Sequence, residues 1–181
     1  MTQMPQMVAI FNGFGGGASA LIASAEYLSN YQNNSLSMFL VITITLSVFI
    51  GTLTLTGSFI AFGKLQGFIS GQPILFPGQQ PFNALLAIGI VVSSYLLASG
   101  NLDNLNTFYA IIAISALMGI TLTIPIGGAD MPVVISLLNS YSGVAASATG
   151  FVLMNNGLII AGALVGASGL ILTNIMCKGM N

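Results

Sequence analysis

The stretch GGADMPVVISLLNSYSG occupies residues 127–143 and lies between two long apolar runs. It carries Asp130, one of only five charged residues in the chain, and its polar run NSYS lies inside the second apolar run. Polar groups at membrane depth are costly, and they usually mark a pathway for ions or substrates. We therefore expect this stretch to contain both a membrane-crossing helix and a functional site.

The composition excludes a soluble globular protein. Of the 181 residues, 55% are hydrophobic and 3% are charged, whereas a soluble domain carries about 25% charged residues. The chain is therefore expected to be an integral membrane protein with one domain, residues 1–181. A net charge of −1 gives no electrostatic basis for nucleic-acid binding. The sequence has no histidine for a metal site or proton relay, and its single cysteine, Cys177, allows no internal disulfide.

Six segments are long and apolar enough to cross a bilayer, which takes about 20 residues per helix. The predicted spans are approximately residues 5–28, 36–62, 82–98, 107–124, 131–154 and 158–177. The predicted connections are residues 29–35, 66–80 with room for a short interfacial piece at 74–76, 99–106 and 155–157. Gly63 and Lys64 are expected to end the second span. The predicted fold class is an all-α integral membrane protein, a bundle of six transmembrane helices.

An even number of spans places both termini on the same side of the membrane. Lys64 and Lys178, the two basic residues, then share that side with the turn that carries Asp130. The positive-inside rule assigns this side to the cytoplasm. Glu26 and Asp103 fall on the opposite side.

Two groups of glycines indicate close helix packing. The run GFGGG at residues 13–17 superficially resembles a phosphate-binding loop, but such a loop needs a preceding strand, for which there is no room. Small residues let membrane helices approach closely, so we expect the first helix to be buried in the bundle. In the last helix, Gly162, Gly166 and Gly169 share one face. That face predicts either static packing or a surface that slides or rotates during turnover, and the pattern leaves both open.

The candidate path residues are Asn12 in the first helix and Asn139 and Ser140 in the fifth. Both helices start on the same membrane side, so Asn12 and Asn139 are predicted to lie at a similar depth. The two amides predict either an interhelical hydrogen bond or a water-lined path through the bundle interior. An asparagine carries no proton at neutral pH, so it can only orient water or an ionisable partner.

Two acidic residues each have two interpretations. Glu26, near the far end of the first helix, is either solvated at the membrane surface or a proton entry or exit group. Asp130 lies just before Pro132 at the predicted start of the fifth helix, where a carboxylate caps the helix and complements its dipole. The alternative for Asp130 is a role at the surface where a cytoplasmic partner docks.

Four segments carry a family resemblance, in the chain order MPQMVAIFNGFGG, TGSFIAFGKLQG, GGADMPVVISLLNSYSG and GALVGASGLILTNIMCKGMN. They closely resemble the membrane part of the β subunit of proton-translocating NAD(P) transhydrogenase. The likeness covers essentially all 181 residues. It implies a complete enzyme that moves hydride between NAD(H) and NADP(H), coupled to proton passage across a bacterial inner or a mitochondrial inner membrane.

The resemblance also implies how the complete enzyme is divided. It has an NAD(H)-binding domain, a membrane domain and an NADP(H)-binding domain, and it works as a dimer. This chain resembles the last six helices of the β-subunit membrane part. It is therefore expected to contribute the proton channel and its gate, and to hold no nucleotide, metal or catalytic residue. Its expected partners are the other transhydrogenase membrane helices, the α subunit, the NADP(H)-binding domain, the second half of the dimer and the lipid bilayer.

Individual roles follow from the resemblance at matching positions. Asp130 matches a position at the cytoplasmic mouth that communicates with the NADP(H)-binding domain, Asn139 matches a channel-lining position, and the three glycines match the glycine face of the final helix. Many relatives have a histidine in the first helix, in the pattern A-x-x-H-S, where residues 9–13 of this chain read AIFNG. Since histidine titrates near neutral pH, we predict that a partner membrane subunit supplies an ionisable group facing Asn12.

Two other functions stay open on the residues alone. One is a small-solute or ion transporter or channel unrelated to transhydrogenase, and the other is a purely structural membrane subunit. A transporter is expected to show paired, internally repeated broken helices. The sequence shows no convincing repeat of this kind.

Overall fold

Six long helices build the part of the molecule that the structure describes, as the sequence predicts. The structure is a computed structural model that describes residues 3–33, 36–99 and 104–180, the side chains of residues 104 and 180 excepted. The helices are α1 (Met4–Gln32), α2 (Met38–Gln66), α3 (Gln79–Ser99), α4 (Asn104–Thr123), α5 (Met131–Val152) and α6 (Asn156–Met180). A short 3₁₀ turn, Gly128–Asp130, precedes α5. All six helices have the length and apolar composition needed to cross a membrane, so the chain is a multi-pass membrane protein.

Two helices run further than predicted. α1 continues through Gln32, into the segment predicted as a loop. α2 does not stop at Gly63 and Lys64 but continues to Gln66, where Gly67 adopts a left-handed conformation with φ 83°. The left-handed residue ends the helix because it turns the chain away from the helix axis, and glycine adopts that conformation without steric cost. Residues 74–76 form no helix and belong to the exposed connection after α2.

The connection between α5 and α6 lies slightly earlier than the predicted turn at 155–157. Met154 has a positive φ of 53°. Asn155 then caps α6, because its Oδ1 accepts a hydrogen bond from the backbone N–H of Leu158 at 3.1 Å. Asp103 and residues 34–35, which the sequence assigns to connections, lie outside the described residues.

The antiparallel helices give the bundle two ends, named here for one residue at each. At the Lys64 end, Gln6 of α1 donates to the Leu65 carbonyl of α2 at 3.3 Å, and Gln79 of α3 donates to the Thr121 carbonyl of α4 at 3.2 Å. The start of α5 joins the same end in a small apolar cluster of Ala9, Ala61, Met131 and Ile135. α2 is central and contacts α1, α3, α4 and α5, while α6 packs on α5.

The Tyr27 end is filled by large apolar side chains. Tyr27 of α1 and Phe108 of α4 stack with ring centroids 4.1 Å apart and planes inclined by 13°. Around them lies the main apolar cluster, which consists of Ala23, Tyr27, Val41, Ile44, Val48, Leu97, Phe108, Ile111 and Val152. Its members come from five helices, so this cluster ties the far ends of α1 to α5 together by van der Waals contact.

Glycines bring α1 and α2 together midway between the two ends. A Cβ atom added to Gly51 of α2 would lie 2.5 Å from the carbonyl oxygen of Gly16 in α1, closer than real Cβ atoms approach. Within the predicted glycine run at 13–17, the glycines are buried except Gly15. The opposite face of α1 carries exposed Phe11 and Phe14. The glycine face of α1 is therefore buried as predicted, whereas the opposite face is exposed, so this helix is not enclosed within the bundle.

Candidate functional site

Asn12 and Asn139 line the same cleft, at the outer junction of α1 and α5. The cleft has a volume of about 330 Å³ and is lined by Val8, Phe11, Asn12, Gly15, Asn139 and Ser142. Asn12 and Asn139 each lie eight residues into their helices, counted from Met4 and Met131. At 1.5 Å rise per residue this is about 12 Å from the start of each helix. The structure thus brings together the two amides that the sequence singles out.

Asn12 is held from inside the bundle. Its side chain is 8% exposed, and its Nδ2 donates to Ser58 Oγ of α2 at 2.9 Å. Ser142 Oγ donates to the Asn12 backbone carbonyl at 3.2 Å, which ties α5 to the same point. Among the described residues, the buried Oδ1 of Asn12 is one of three buried side-chain oxygens without a hydrogen-bond partner, the others being Gln6 Oε1 and Asn83 Oδ1. A buried amide oxygen without a donor is uncommon in a native structure and requires an explanation.

Asn139 is exposed on the surface of this chain. Its neighbours Val8 and Phe11 across the cleft are 48% and 66% exposed. The cleft therefore opens outward from the six helices. Of the two sequence-based alternatives, the interhelical hydrogen bond is present between Asn12 and Ser58, whereas the path through the bundle interior is not formed by these six helices alone. Only further helices placed over α1 and α5 would turn this cleft into an interior path.

Ser140 lies apart from the cleft, although the sequence groups it with the two asparagines. It is fully buried, and its hydroxyl donates to the Gly166 carbonyl of α6. Successive helical residues point about 100° apart, whereas residues three apart share a face. Ser142 therefore takes the place assigned to Ser140, and helical spacing from Asn139 would have identified it. Ser58 was also missed, because its meeting with Asn12 depends on how α1 and α2 are aligned.

The three glycines of α6 form the seam between α6 and α5. A Cβ added to Gly162 would lie 2.6 Å from the Gly143 carbonyl oxygen, and one added to Gly169 would lie 2.9 Å from Ser140 Cβ. A Cβ on Gly166 would lie 3.1 Å from Val144 Cγ2. The seam also carries hydroxyl bonds, including Ser147 to the Ile159 carbonyl at 3.1 Å. This face is closely packed along its length.

Asp130 sits at the Lys64 end, in the position before the first residue of α5. Its backbone is helical, with φ −90° and ψ −2°, and its side chain makes no capping hydrogen bond. The predicted capping bond is therefore wrong: a capping side chain needs an extended backbone, and the 3₁₀ turn at Gly128–Asp130 continues directly into the helix. Pro132 occupies the first turn of α5, as predicted. The carboxylate is left exposed at the Lys64 end of the bundle.

Lys64 is the residue that sequence reasoning missed at this end. Its side chain is only 4% exposed. The ammonium donates to the carbonyls of Ile124 and Ile126 (2.7 Å for the latter) and, at 3.4 Å, to that of Gln72. The sequence offered one signal, since the first turn-forming residue after Lys64 is Gly67. That places Lys64 inside the helix rather than beyond its end.

Glu26 lies at the opposite end of α1 from the cleft. It is half-buried, and its Oε1 accepts a hydrogen bond from Asn30 Nδ2 at 2.8 Å. Fourteen residues separate it from Asn12, which is about 21 Å along the helix. The contact of Gly16 with Gly51 lies between them. The structure therefore does not bring Glu26 into the cleft.

The side chains at the cleft are amides and hydroxyls. Such groups orient water or a partner by hydrogen bonding, but they do not take up a proton at neutral pH. Within the described ranges, no three His, Cys, Asp or Glu residues lie close enough together to hold a metal ion. The chemistry that these side chains support is therefore hydrogen bonding.

Comparison with known proteins adds independent information. The sequence profile of the NAD(P) transhydrogenase beta subunit family matches residues 1–181. Two curated sequences from Rhodospirillum rubrum, both described as NAD(P) transhydrogenase subunit beta and one assigned to a particular strain, are 47% identical to this chain over 186 aligned residues. The alignment covers 100% of this chain and 40% of each relative. The chain thus spans about two fifths of the length of the curated relatives it matches.

Proposed function

The chain belongs to the NAD(P) transhydrogenase beta subunit family, and we propose that it forms part of a proton channel and of the gate that couples this channel to hydride transfer. In the complete enzyme, hydride passes between NAD(H) and NADP(H) bound by other domains. In this proposal the chain binds neither nucleotide, and its contribution is the path for protons. The positive-inside rule supports a cytoplasmic Lys64 end, in a bacterial inner membrane or its mitochondrial counterpart.

The observation that carries this proposal is the polar cleft on the outer surface of α1 and α5. Asn139 is exposed there, and Asn12 has a buried oxygen without a donor. Lipid tails cannot satisfy the exposed amide of Asn139, and an unsatisfied polar group in hydrocarbon costs on the order of several kcal/mol. Water, a polar side chain of another helix, or both must therefore fill the cleft in the assembled membrane protein. A hydrated cleft at membrane depth is what a proton path requires.

The titrating group is proposed to lie on a partner helix. Asn12 stands where many relatives of the family carry a histidine, and neither Asn12 nor Asn139 takes up a proton at neutral pH. The open side of the cleft faces away from the six helices of this chain. We therefore place an ionisable side chain of another transhydrogenase membrane helix at the cleft beside Asn12, in contact directly or through one water. A structure of the complete complex with no ionisable group within that reach would contradict this part.

The gate is proposed to act through α5. Asp130 lies at the mouth and Asn139 in the cleft, nine residues apart on one continuous stretch of helix. This spacing corresponds to about 14 Å. Because a helix moves as a rigid rod over such a length, a displacement of the turn by the NADP(H)-binding domain is passed to the cleft. The dimeric enzyme with its α subunit supplies the remaining helices and domains in this proposal.

The decisive experiment compares Asn139→Leu with the wild type in the complete complex, reconstituted into proteoliposomes. Hydride transfer driven by a proton gradient is expected to fall about tenfold or more, which corresponds to about 1.4 kcal/mol of barrier. Bound NADP(H) is expected to stay at the wild-type amount. Asn174→Leu is the matched control, because Asn174 is an exposed asparagine in α6 that lies outside the cleft.

Two results would refute the proposal that the cleft between α1 and α5 is part of the proton path. One is wild-type gradient-driven transfer in Asn139→Leu. The other is an equal loss in Asn174→Leu, which would trace the effect to the loss of any exposed amide in the membrane. Asn12→Leu adds an independent test from the other wall of the cleft, and its expected result is the same as for Asn139→Leu.

A further inference from the structure

Lys64 is the one charged side chain that is buried among the residues the structure describes. All three of its hydrogen-bond acceptors are backbone carbonyls, of Gln72, Ile124 and Ile126. These carbonyls belong to segments that follow α2 and α4. The ammonium thus links α2 to the loop that follows α2 and to the segment that follows α4.

The carbonyls after α4 are suited to hold a cation. The last carbonyls of a helix lack intrahelical donors and carry the negative end of the helix dipole. Ile124 directly follows Thr123, the last residue of α4, and Ile126 lies two residues further along the chain. A neutral side chain already bonds at the same helix end, since Gln79 donates to the Thr121 carbonyl. Lys64 differs from Gln79 in carrying a charge. A buried charge is costly unless its hydrogen-bond acceptors are in place, so the ammonium depends on these carbonyls more strongly than a neutral amide does.

This requirement connects Lys64 to the turn that leads into α5. Ile126 lies four residues before Asp130, and the Gly128 N–H donates to the Gly71 carbonyl at 2.8 Å. Gly71 precedes Gln72, so the same loop is fixed by Lys64 on one side and by Gly128 on the other. If the turn shifts, the ammonium loses its acceptors and leaves a buried charge. The arrangement therefore favours one position of the turn over intermediate ones.

We propose that Lys64 is a positioning residue for the coupling turn, residues 124–130. Its buried ammonium holds this turn in the geometry that presents Asp130 and fixes the start of α5. The role of the turn in coupling rests on the function proposed above. The claim that Lys64 fixes the position of the turn does not rest on that function. The two statements are therefore tested by different measurements.

The hold is tested by the mobility of the turn. A nitroxide spin label is attached at Ala129→Cys, an exposed position in the turn, in a complete complex whose other cysteines, including Cys177, are replaced. Lys64→Met removes the charge with little change in length, and the label is expected to become clearly more mobile. Lys178→Met is the matched control, because Lys178 is exposed on α6. In this variant the spectrum of the label at position 129 is expected to match the spectrum without any lysine substitution. Lys64→Arg, which keeps the charge and the donors, is expected to restore the immobile spectrum.

Coupling is read out on the same variants in proteoliposomes. The stimulation of hydride transfer by a proton gradient is expected to fall about 2- to 30-fold in Lys64→Met, to stay unchanged in Lys178→Met and to recover in Lys64→Arg. A residue with a merely structural role would lower the amount of folded complex without changing the stimulation per folded complex.

An immobile label in Lys64→Met, or a label as mobile in Lys64→Arg as in Lys64→Met, would overturn the hold of Lys64 on the turn. If Lys64→Met fails to assemble, Lys64→Gln is measured by the same spectra, with the same expectation at smaller size. A mobile turn together with normal coupling in Asn139→Leu would refute the proposed function and leave the positioning role intact. Loss of coupling in Asn139→Leu together with an immobile turn in Lys64→Met would support the proposed function and refute the positioning role of Lys64.

Discussion

The two ends of this helical bundle are held by different kinds of contact. The Tyr27 end is filled by a nine-residue apolar cluster, in which Tyr27 and Phe108 stack at 4.1 Å. The Lys64 end has a smaller apolar cluster of four residues and adds directional bonds from one ammonium to backbone carbonyls. Dispersion contacts weaken gradually when helices shift, whereas the hydrogen bonds of a buried charge are either made or lost. The comparison teaches that the Tyr27 end is held by non-directional packing, whereas the Lys64 end depends in addition on directional bonds to a buried charge.

The largest expected effect comes from emptying the Tyr27 end. Phe108 is 1% exposed, so Phe108→Ala leaves a cavity and is expected to lower the free energy of unfolding by about 3–5 kcal/mol. Unfolding of the purified complex in detergent, followed by circular dichroism, measures this loss. Tyr109→Ala serves as the control, because Tyr109 is 52% exposed. Equal losses in both variants, or a changed coupling in the folded fraction of Phe108→Ala, would break the division between the ends.

The next largest effect is expected at the close contact of α1 with α2, midway between the two ends of the bundle. A Cβ at Gly16 would lie 2.9 Å from both the Gly51 carbonyl oxygen and Thr54 Cβ. Gly16→Ala is therefore expected to force α1 and α2 apart and to cost about 1–3 kcal/mol. Gly15→Ala is the adjacent control, because a Cβ there meets no atom within 4 Å. The same unfolding assay decides, and a Gly15→Ala variant as unstable as Gly16→Ala would contradict the packing explanation.

A smaller effect is expected from the hydroxyl pair in the half of the bundle near Tyr27. Ser47 of α2 and Thr149 of α5 share a hydrogen bond of 2.6 Å, and both are buried. Such bonds between membrane helices contribute about 0.6 kcal/mol on average, so Ser47→Ala is expected to cost roughly that amount. Ser168→Ala, an exposed serine that bonds within its own helix, is expected to cost less. A loss of several kcal/mol in Ser47→Ala would show that polar contacts, and not the apolar cluster, hold this half.

The smallest effect on stability is expected at the Lys64 end, from Asp130→Asn. Its side chain is exposed and makes no capping bond, so the free energy of unfolding is expected to change by no more than about 0.5 kcal/mol. Gradient-driven hydride transfer is nevertheless expected to fall in proteoliposomes, with NADP(H) still bound. Asp130→Glu keeps the charge and is expected to retain coupling. Unchanged transfer in Asp130→Asn would remove this carboxylate from the gate.

The number and order of the helices could be predicted, because bilayer thickness sets the length of each apolar segment. The shared cleft of Asn12 and Asn139 could also be anticipated from their equal distances into two parallel helices. Ser142 could have been placed beside them by helical spacing alone. The placement of Ser140 against Gly166 shows that adjacent positions in a helix serve different neighbours.

Other features depend on contacts between distant segments. Lys64 finds its acceptors 60 and 62 residues away in sequence, and nothing near Lys64 in the chain indicates them. The pairing of Asn12 with Ser58 depends on the alignment of α1 against α2, which Gly16 and Gly51 set together. The backbone at Asp130 follows from a 3₁₀ turn that the carbonyl of Gly71 helps to hold. Each of these is a property of two segments, and neither segment shows it alone.

The contact of Gly16 with Gly51 has a mechanical consequence. Both glycines lie within two residues of the midpoints of 29-residue helices, each about 43 Å long. Such a contact acts as a fulcrum, with two arms of roughly 21 Å on either side. A tilt of about 5° would displace each arm's tip by roughly 2 Å, more than the range over which a hydrogen bond persists. Such a displacement would separate the Lys64 ammonium at one tip from its acceptor carbonyls, whereas the stacked rings near the other tip would lose their contact gradually.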